Sequence, residues 1–576
     1  MKKNKIALAM AAIMAVTGVA ACGNGNNDTD KSSTAGSSQS GDVSGEGSKE
    51  TQGEVSAEDI PDAIKAENLY VGDYFPLEEP IEVKIAGVRE DTMPPLGDLA
   101  YFKELEKATN VKINWIDWPQ IAQKERRSLA FAGGDLPDAF YGSWSFDKPD
   151  VVKYGSEGQL LDLTPYLNEE IMPNVTKLFN EVDGLRTSLE VPTGEVYVLS
   201  TLDENGLPET NDTLVINTEW LDKVGKTMPT TTDEFIDVLK AFKEAGDLNG
   251  NGKEDEIPFS FLYMGGNNGA FGLMGFTGIP YQNKNSRMAI KDGQPAFIPA
   301  LDEYKTYLNF LHEISAAGLL DPEVFTMDQP TYNAKTQNPE PFIGVISTWT
   351  AESVNRPIEG FDTTQDGVYQ YMPPLKGKDG VEPKWGKRIN PQNGNISFGI
   401  SSETKHAEAL AAWIDIAYDP MTSFTNYVGI EGYSVKKEGE GMYSRMTKED
   451  GKRFSKQDIA NLVPAKFAAA WVRPGTVTWT DDVESKQNKV AADEFYKPFI
   501  EEHYVNDFIM ASADENARMA QLSTDLFSYV DQATATFVTQ GGIDEGWEAY
   551  IKQLKDLGLE EYVQIKTDLH NRANGN

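Results

Sequence analysis

Residues 247–256 read Asp-Leu-Asn-Gly-Asn-Gly-Lys-Glu-Asp-Glu, and this run carries the sharpest local chemistry in the chain. Oxygen-bearing side chains recur at every second position, on Asp247, Asn249, Asn251 and Asp255. Gly252 stands where a cation-binding loop of the EF-hand type turns sharply, and Lys253 stands where such a loop offers only its backbone carbonyl. A hard cation such as Ca2+ takes about six to eight oxygens, and these residues can supply them. The run departs from an EF-hand at its last ligand position, which is Pro258 instead of Glu, so Glu256 must provide the closing carboxylate. A polar turn with no metal fits the same residues. In either case the ligands leave no open Lewis-acid position, so the role is to staple a loop.

A second set of residues suits a sugar. The C–H faces of sugar rings pack on indole planes, and their hydroxyls pair with acids, amides and arginine. The chain has 10 Trp and 23 Tyr, many of them on apolar faces that mark core. Trp115 faces inward by strand alternation, and Trp220, Trp413 and Trp547 lie on apolar helix faces. The candidates for ligand contact are the residues that follow strands, because ligands of open α/β sheets sit beyond the carboxyl ends of the strands. Arg89, Trp118 and Trp144 follow three successive strands, and Trp349 follows a later one. Trp385 and Arg388 lie near a break in the pattern, and Glu431 and Tyr433 lie in a segment that returns towards the same region.

Nothing comparable marks a catalyst. His312, His406, His503 and His570 are scattered, and no H-E-x-x-H pair, G-x-S-x-G elbow, P-loop or dinucleotide fingerprint occurs. A glycan-processing enzyme stays open as an alternative only because 90 acids allow many carboxylate pairings.

The elements that must position these groups alternate strand and helix. Ile81, Val83 and Ile85 alternate in a first strand, Leu99, Phe102 and Leu105 recur at helical spacing, and Val111, Ile113 and Trp115 alternate again. Ala139–Tyr141 supplies a third strand after the turn 133–138, giving βαβαβ and a mostly parallel sheet covered by helices. A second unit starts near 205, with a strand at 214–216. A helix follows, opened by Thr231 and Glu234 at capping-box spacing, with Phe235, Val238, Leu239 and Phe242 on one face. Strands are expected at 342–346 and 396–400, a crossover at 371–375, and a helix over 406–418. The end is helical, with Trp547, Tyr550, Ile551, Leu554 and Leu557 on one face and Gly558 as a stop.

The ends and the charge place the chain. A basic start, an apolar run from Ile6 to Ala21 and the sequence Val19-Ala20-Ala21-Cys22 read as a signal peptide over 1–21 and a lipid-modified Cys22, the single cysteine. Residues 22–59 are rich in Gly, Ser, Asn and acids and carry no aromatic residue, which is the composition of a disordered tether. The net charge of −38 becomes −41 once Lys2, Lys3 and Lys5 leave with the leader, so nucleic acid is excluded as a partner.

Five segments together resemble family 1 extracellular solute-binding proteins, the receptor subunits of bacterial carbohydrate ABC importers. They are 102–111, the turn 132–138, Ile216–Gly225, Gly429–Tyr433 and Trp547–Tyr550. The match resembles the large subgroup of Gram-positive sugar-binding lipoproteins and alginate-oligosaccharide receptors, in which the counterpart of Glu256 closes a calcium loop. The resemblance implies an α/β fold of two lobes, like that of periplasmic binding proteins, with a hinge, a ligand cleft and a helical C-terminal part. Lobe one is expected at 80–200 plus 393–430, and lobe two at 205–375 plus 431–570. It implies a monomeric, non-enzymatic receptor held on the extracellular face of the membrane by its lipid anchor. Its oligosaccharide cargo would pass to two permease subunits and, behind them, a cytoplasmic ATPase. A peptide cargo on the same fold is the milder alternative.

Overall fold

The computed structural model describes residues 60–205, 209–354, 368–388, 395–454, 456–480 and 492–575. The leader, Cys22 and the tether lie outside the described residues. Nine strands build two central sheets: β1 (Ile81–Arg89), β2 (Val111–Pro119), β3 (Ala139–Tyr141), β4 (Val198–Ser200), β5 (Thr213–Asn217), β6 (Ile257–Ser260), β7 (Ile343–Thr348), β8 (Tyr369–Tyr371) and β9 (Ile396–Ile400). The first sheet has the order β2-β1-β3-β9-β4, and the second β8-β5-β7-β6. The expected βαβαβ start is present: β1 pairs in parallel with both β2 and β3, connected through α1 (Ala100–Thr109) and α2 (Gln123–Gly133). The late strand β9 enters antiparallel between β3 and β4, so the chain returns to the first lobe after building the second.

Each sheet has its own core. The first gathers Ile85, Phe140, Leu199 and Phe398, and the second Leu214, Phe259, Val345 and the helices around them. The α/β, two-lobe fold expected from the sequence is the fold observed, but its partition differs at two places. Ile459, Val463, Phe467 and Trp471, placed with lobe two by the sequence reading, are buried in the first core. The reason is local. The small side chains of Ala468, Ala469 and Ala470 let this run press onto lobe one, where Phe467 O accepts from Ser143 N and Leu462 O accepts from Tyr101 N. The first core also begins earlier than residue 80, with Ile64 and Phe75.

The expected crossover at 371–375 is lobe-two core: Met372 and Leu375 are buried, and Met372 N donates to Leu214 O. The chain continues in lobe two through Trp385 and Gly386, which pair with Ile500 and Glu501, and crosses only after Arg388. Three crossovers thus join the lobes, over 203–212, 388–395 and 480–492. They are tied together at lobe two, where the buried carboxylate of Asp493 accepts from Glu209 N at 2.7 Å and from Thr210 N and Oγ1 at 3.2 and 2.6 Å. Arg388 N donates to Glu209 O at 2.6 Å.

In lobe two, α3 (Thr232–Ala245) starts as its spacing predicts: Thr231 Oγ1 accepts from Glu234 N. The return bond shifts by one residue, with Glu234 accepting from Thr230 N. Three helices close the chain, α4 (Ala513–Gln540), α5 (Ile543–Asp556) and α6 (Leu559–Ala573). Gly558 stops α5 as expected, with φ at 93°, and a Cβ there would lie 2.4 Å from Leu522. Among the described residues no helix is long and apolar enough to cross a membrane.

Candidate functional site

The turn after β3 is the most constrained piece of lobe one near the crossovers. Gly142 N donates to Ser397 O, Ser143 N to Phe467 O, and Ser145 N to Ile396 O, so β9 and the segment at Phe467 together fix the turn. Trp144 takes φ of 67°, a left-handed conformation that a bulky residue adopts only when its surroundings impose it. Its ring packs edge-on against Phe467 at 5.7 Å and stays 38% exposed, so the turn displays an indole that the core does not need. Trp144 N donates to Asn395 Oδ1 at 3.2 Å, which places it at the lobe-one end of the second crossover.

Trp349 stands where β7 ends, beside the start of β5, and Thr213 Oγ1 donates to its carbonyl. The Arg388 guanidinium lies over its ring, 4.9 Å from the centroid. Burial lowers the Arg388 pKa from its ordinary value, against the opposing field of Asp493. Trp349 and Trp144 therefore touch the two ends of one crossover, Arg388 and Asn395. Seven residues of extended chain span at most about 25 Å. Each lobe thus holds an indole against the described residue at its own end of that crossover.

The other candidates fall elsewhere. Trp118 is 5% exposed and packs against Phe140. Trp385 is 1% exposed, stacked on Tyr496 at 4.4 Å with its Nε1 donating to Asp212 O. Neither candidate presents a ring face to a ligand in this conformation. Both are large apolar bodies for which core burial is the stronger demand. Arg89 is engaged by its own loop: Nη1 donates to Glu90 O and Met93 O, and Nε lies 3.3 Å from Asp117. Asp117 in turn accepts from Leu96 N, so this arginine shapes the loop after β1. Glu431 is half-buried, and its backbone bridges to Val435. Tyr433 is half-buried against Phe454 at 5.0 Å.

Sequence reasoning did not find Asp493, which gathers the crossovers. An acid between Ala492 and Glu494 carries no signal of the amides it will meet. It also missed Asn395, whose side chain holds the Trp144 turn.

The acidic loop folds onto its own backbone. Asp247 accepts from the amides of Gly250, Asn251 and Gly252 at 2.8–3.0 Å, Asn249 Oδ1 accepts from Asn251 N, and Asn251 Oδ1 from Lys253 N. Gly250 and Gly252 both take positive φ, 79° and 81°. Glu256 Oε1 accepts from Leu248 N and Asn249 N, while its Oε2 is buried with no partner among the described residues. A buried carboxylate oxygen without a donor fits a cation at this place. Among the described residues no three His, Cys, Asp or Glu converge as a metal cage, so Asn side chains and the Lys253 carbonyl would complete the donor set.

A profile described as bacterial extracellular solute-binding protein matches residues 89–422. The chain is 28% identical over 524 residues to the fructooligosaccharide ABC transporter substrate-binding protein FusA of Streptococcus pneumoniae, covering 87% of this chain and 92% of that one. It is similar to the structure of the FusA EF-hand mutant in complex with fructo-nystose, with a TM-score of 0.72 at 26% identity over 86% of this chain and 100% of that one. It is also similar to an HMO-binding, ABC-transporter-associated solute-binding protein of Bifidobacterium longum infantis, with a TM-score of 0.73 at 26% identity over 86% and 99%.

Proposed function

We propose, from the premise that the chain belongs to the family of bacterial extracellular solute-binding proteins, that it captures an oligosaccharide between its two lobes and delivers it to an ABC importer. The chain is a binding protein and not an enzyme, as its relatives are. The observation that carries the reading is the pair of indoles at the two ends of the second crossover, Trp144 and Trp349. Lobe closure around a glycan would bring ring faces and polar groups to it together and exclude water. That full-length relatives bind fructooligosaccharides or HMO supports a sugar as cargo. Trp144, Trp349 and Arg388 make the direct contacts in this proposal. Arg89, Trp118, Trp385, Glu431 and Tyr433 support the walls from behind.

Ca2+ belongs to the proposal as a structural ion. Asp247, Asn249, Asn251, Asp255 and Glu256 would hold it with the Lys253 carbonyl, and it would pin the loop between α3 and β6. The EF-hand named in the similar FusA structure supports this. The membrane anchor is Cys22, and the partners are two permease subunits with their ATPase behind them.

Calorimetry with a panel of oligosaccharides tests the proposal. Saturable binding of one glycan class, without breakdown products and weakened by Trp144→Ala, is the expected result. Binding of peptides alone, or turnover of a glycan, overturns it.

A further inference from the structure

We infer that Arg388, backed by Trp349, is the fork that selects the ligand by a coplanar pair of its oxygens, the carboxylate of an acidic sugar or two adjacent hydroxyls of a neutral one. The inference rests on the receptor reading above and names the chemistry of that same site.

The first argument is the company the other arginines keep. Arg89, Arg127, Arg186, Arg287, Arg518 and Arg572 each meet a carboxylate, whereas exposed Arg126 and half-buried Arg473, which lies over Trp471, meet none among the described residues. Acids outnumber Lys and Arg by 90 to 52, so a partner is easily supplied. Among the described residues the Arg388 guanidinium meets none, and donates to no carbonyl. The nearby carboxylate of Asp493 is turned to Glu209 N, Thr210 N and Thr210 Oγ1. Yet Arg388 is half-buried, and burial already lowers its pKa. A guanidinium partly removed from water, with its N–H groups unused, is costly until an acceptor arrives.

The second argument is geometry. The guanidinium carbon lies 4.9 Å from the centroid of the Trp349 ring, so the indole holds the group from one side. The backbone of the same residue is fixed by its bond to Glu209 O, and Lys387 beside it bridges to Thr210. The position of the guanidinium and the root of its side chain are both held before a ligand comes. A planar fork so held matches two oxygens in one plane, which a lysine at this place could not do. Arg388 is half-buried and not fully enclosed, so part of it stays open to a ligand.

The test measures binding by the whole chain to neutral fructans and to oligosaccharides bearing uronic acids, at two salt concentrations. Wild type is compared with Arg388→Met, Arg388→Lys and Trp349→Ala, each checked for an unchanged melting temperature. Arg388→Met is expected to weaken the cognate glycan by about 10–100-fold. Arg388→Lys should recover little of that loss, because it returns the charge without the fork. Trp349→Ala combined with Arg388→Met should cost little beyond either alone. If the affected ligand is a uronide and its affinity falls with salt, the oxygen pair is a carboxylate. If it is neutral and indifferent to salt, the pair is two hydroxyls. Equal binding by wild type and Arg388→Met overturns the inference while leaving the receptor standing. No binding of either glycan class by wild type overturns the receptor reading, and the inference with it.

Discussion

The two lobes present their indoles by opposite means. In lobe one, backbone bonds to β9 and to the segment at Phe467 force Trp144 into a left-handed conformation, so position is imposed by the fold around it. In lobe two, Trp349 follows a regular strand and is partnered by a charged side chain, with the crossovers tied by the Asp493 carboxylate close by. Lobe one thus offers a fixed apolar surface, and lobe two offers a polar group in a held position. In the proposed site, shape and polar discrimination would be separated between the two lobes.

Four measurements break or sharpen this contrast. Asp493→Ala leaves two amides and a hydroxyl without their acceptor. Unfolding in urea should show a loss of about 4 kcal/mol. Hydrogen exchange should rise in β5 and its neighbours and not in β1–β3, and an equal rise in both sheets would dissolve the separation.

The second measurement belongs to lobe one. Burial pushes the Asp415 carboxyl up to about 6, although Asn174 and Val175 donate amides to it. Because the folded pKa lies above the ordinary aspartate value of 3.8, the protonated form favours folding. Stability should therefore fall by about 3 kcal/mol as pH rises from about 4 to about 6. Asp415→Asn should flatten that slope in an unfolding series across the window.

Removal of Ca2+ acts on lobe two. At a concentration 100 times its dissociation constant the ion should contribute about 2.7 kcal/mol. Calorimetry with a chelator should lower the lobe-two transition, and Asp247→Ala should abolish that response. The smallest effect concerns strain at Trp144. Trp144→Gly should be about 1 kcal/mol more stable than Trp144→Ala, since glycine accepts the positive φ, while both bind the glycan equally weakly.

What the sequence made legible follows from periodicity. The strands at 214–216, 342–346 and 396–400 and the Thr231 cap were readable because burial on one face writes itself into spacing. The stop at Gly558 was readable because a turn demands particular residues. The crossover was misplaced because Pro373 and Pro374 look like a break while Met372 and Leu375 are in fact buried. The return of Ile459–Trp471 to lobe one was illegible, since nothing local tells an alanine-rich run which core it will join. Trp118 and Trp385 show the same limit: residue type and position after a strand do not tell which side of a wall an indole occupies.

The knot at Asp493 has a consequence for the thermodynamics of capture. Three separate connections would each lose freedom when the lobes close, and ordering one loose residue costs about 1–2 kcal/mol. Here the amides of Glu209 and Thr210 and the backbone of Arg388 are already bound to one another on the lobe-two side. On the receptor reading the lobes would then close with few independent coordinates at this end, and part of the ordering entropy would be settled during folding, before any ligand is present.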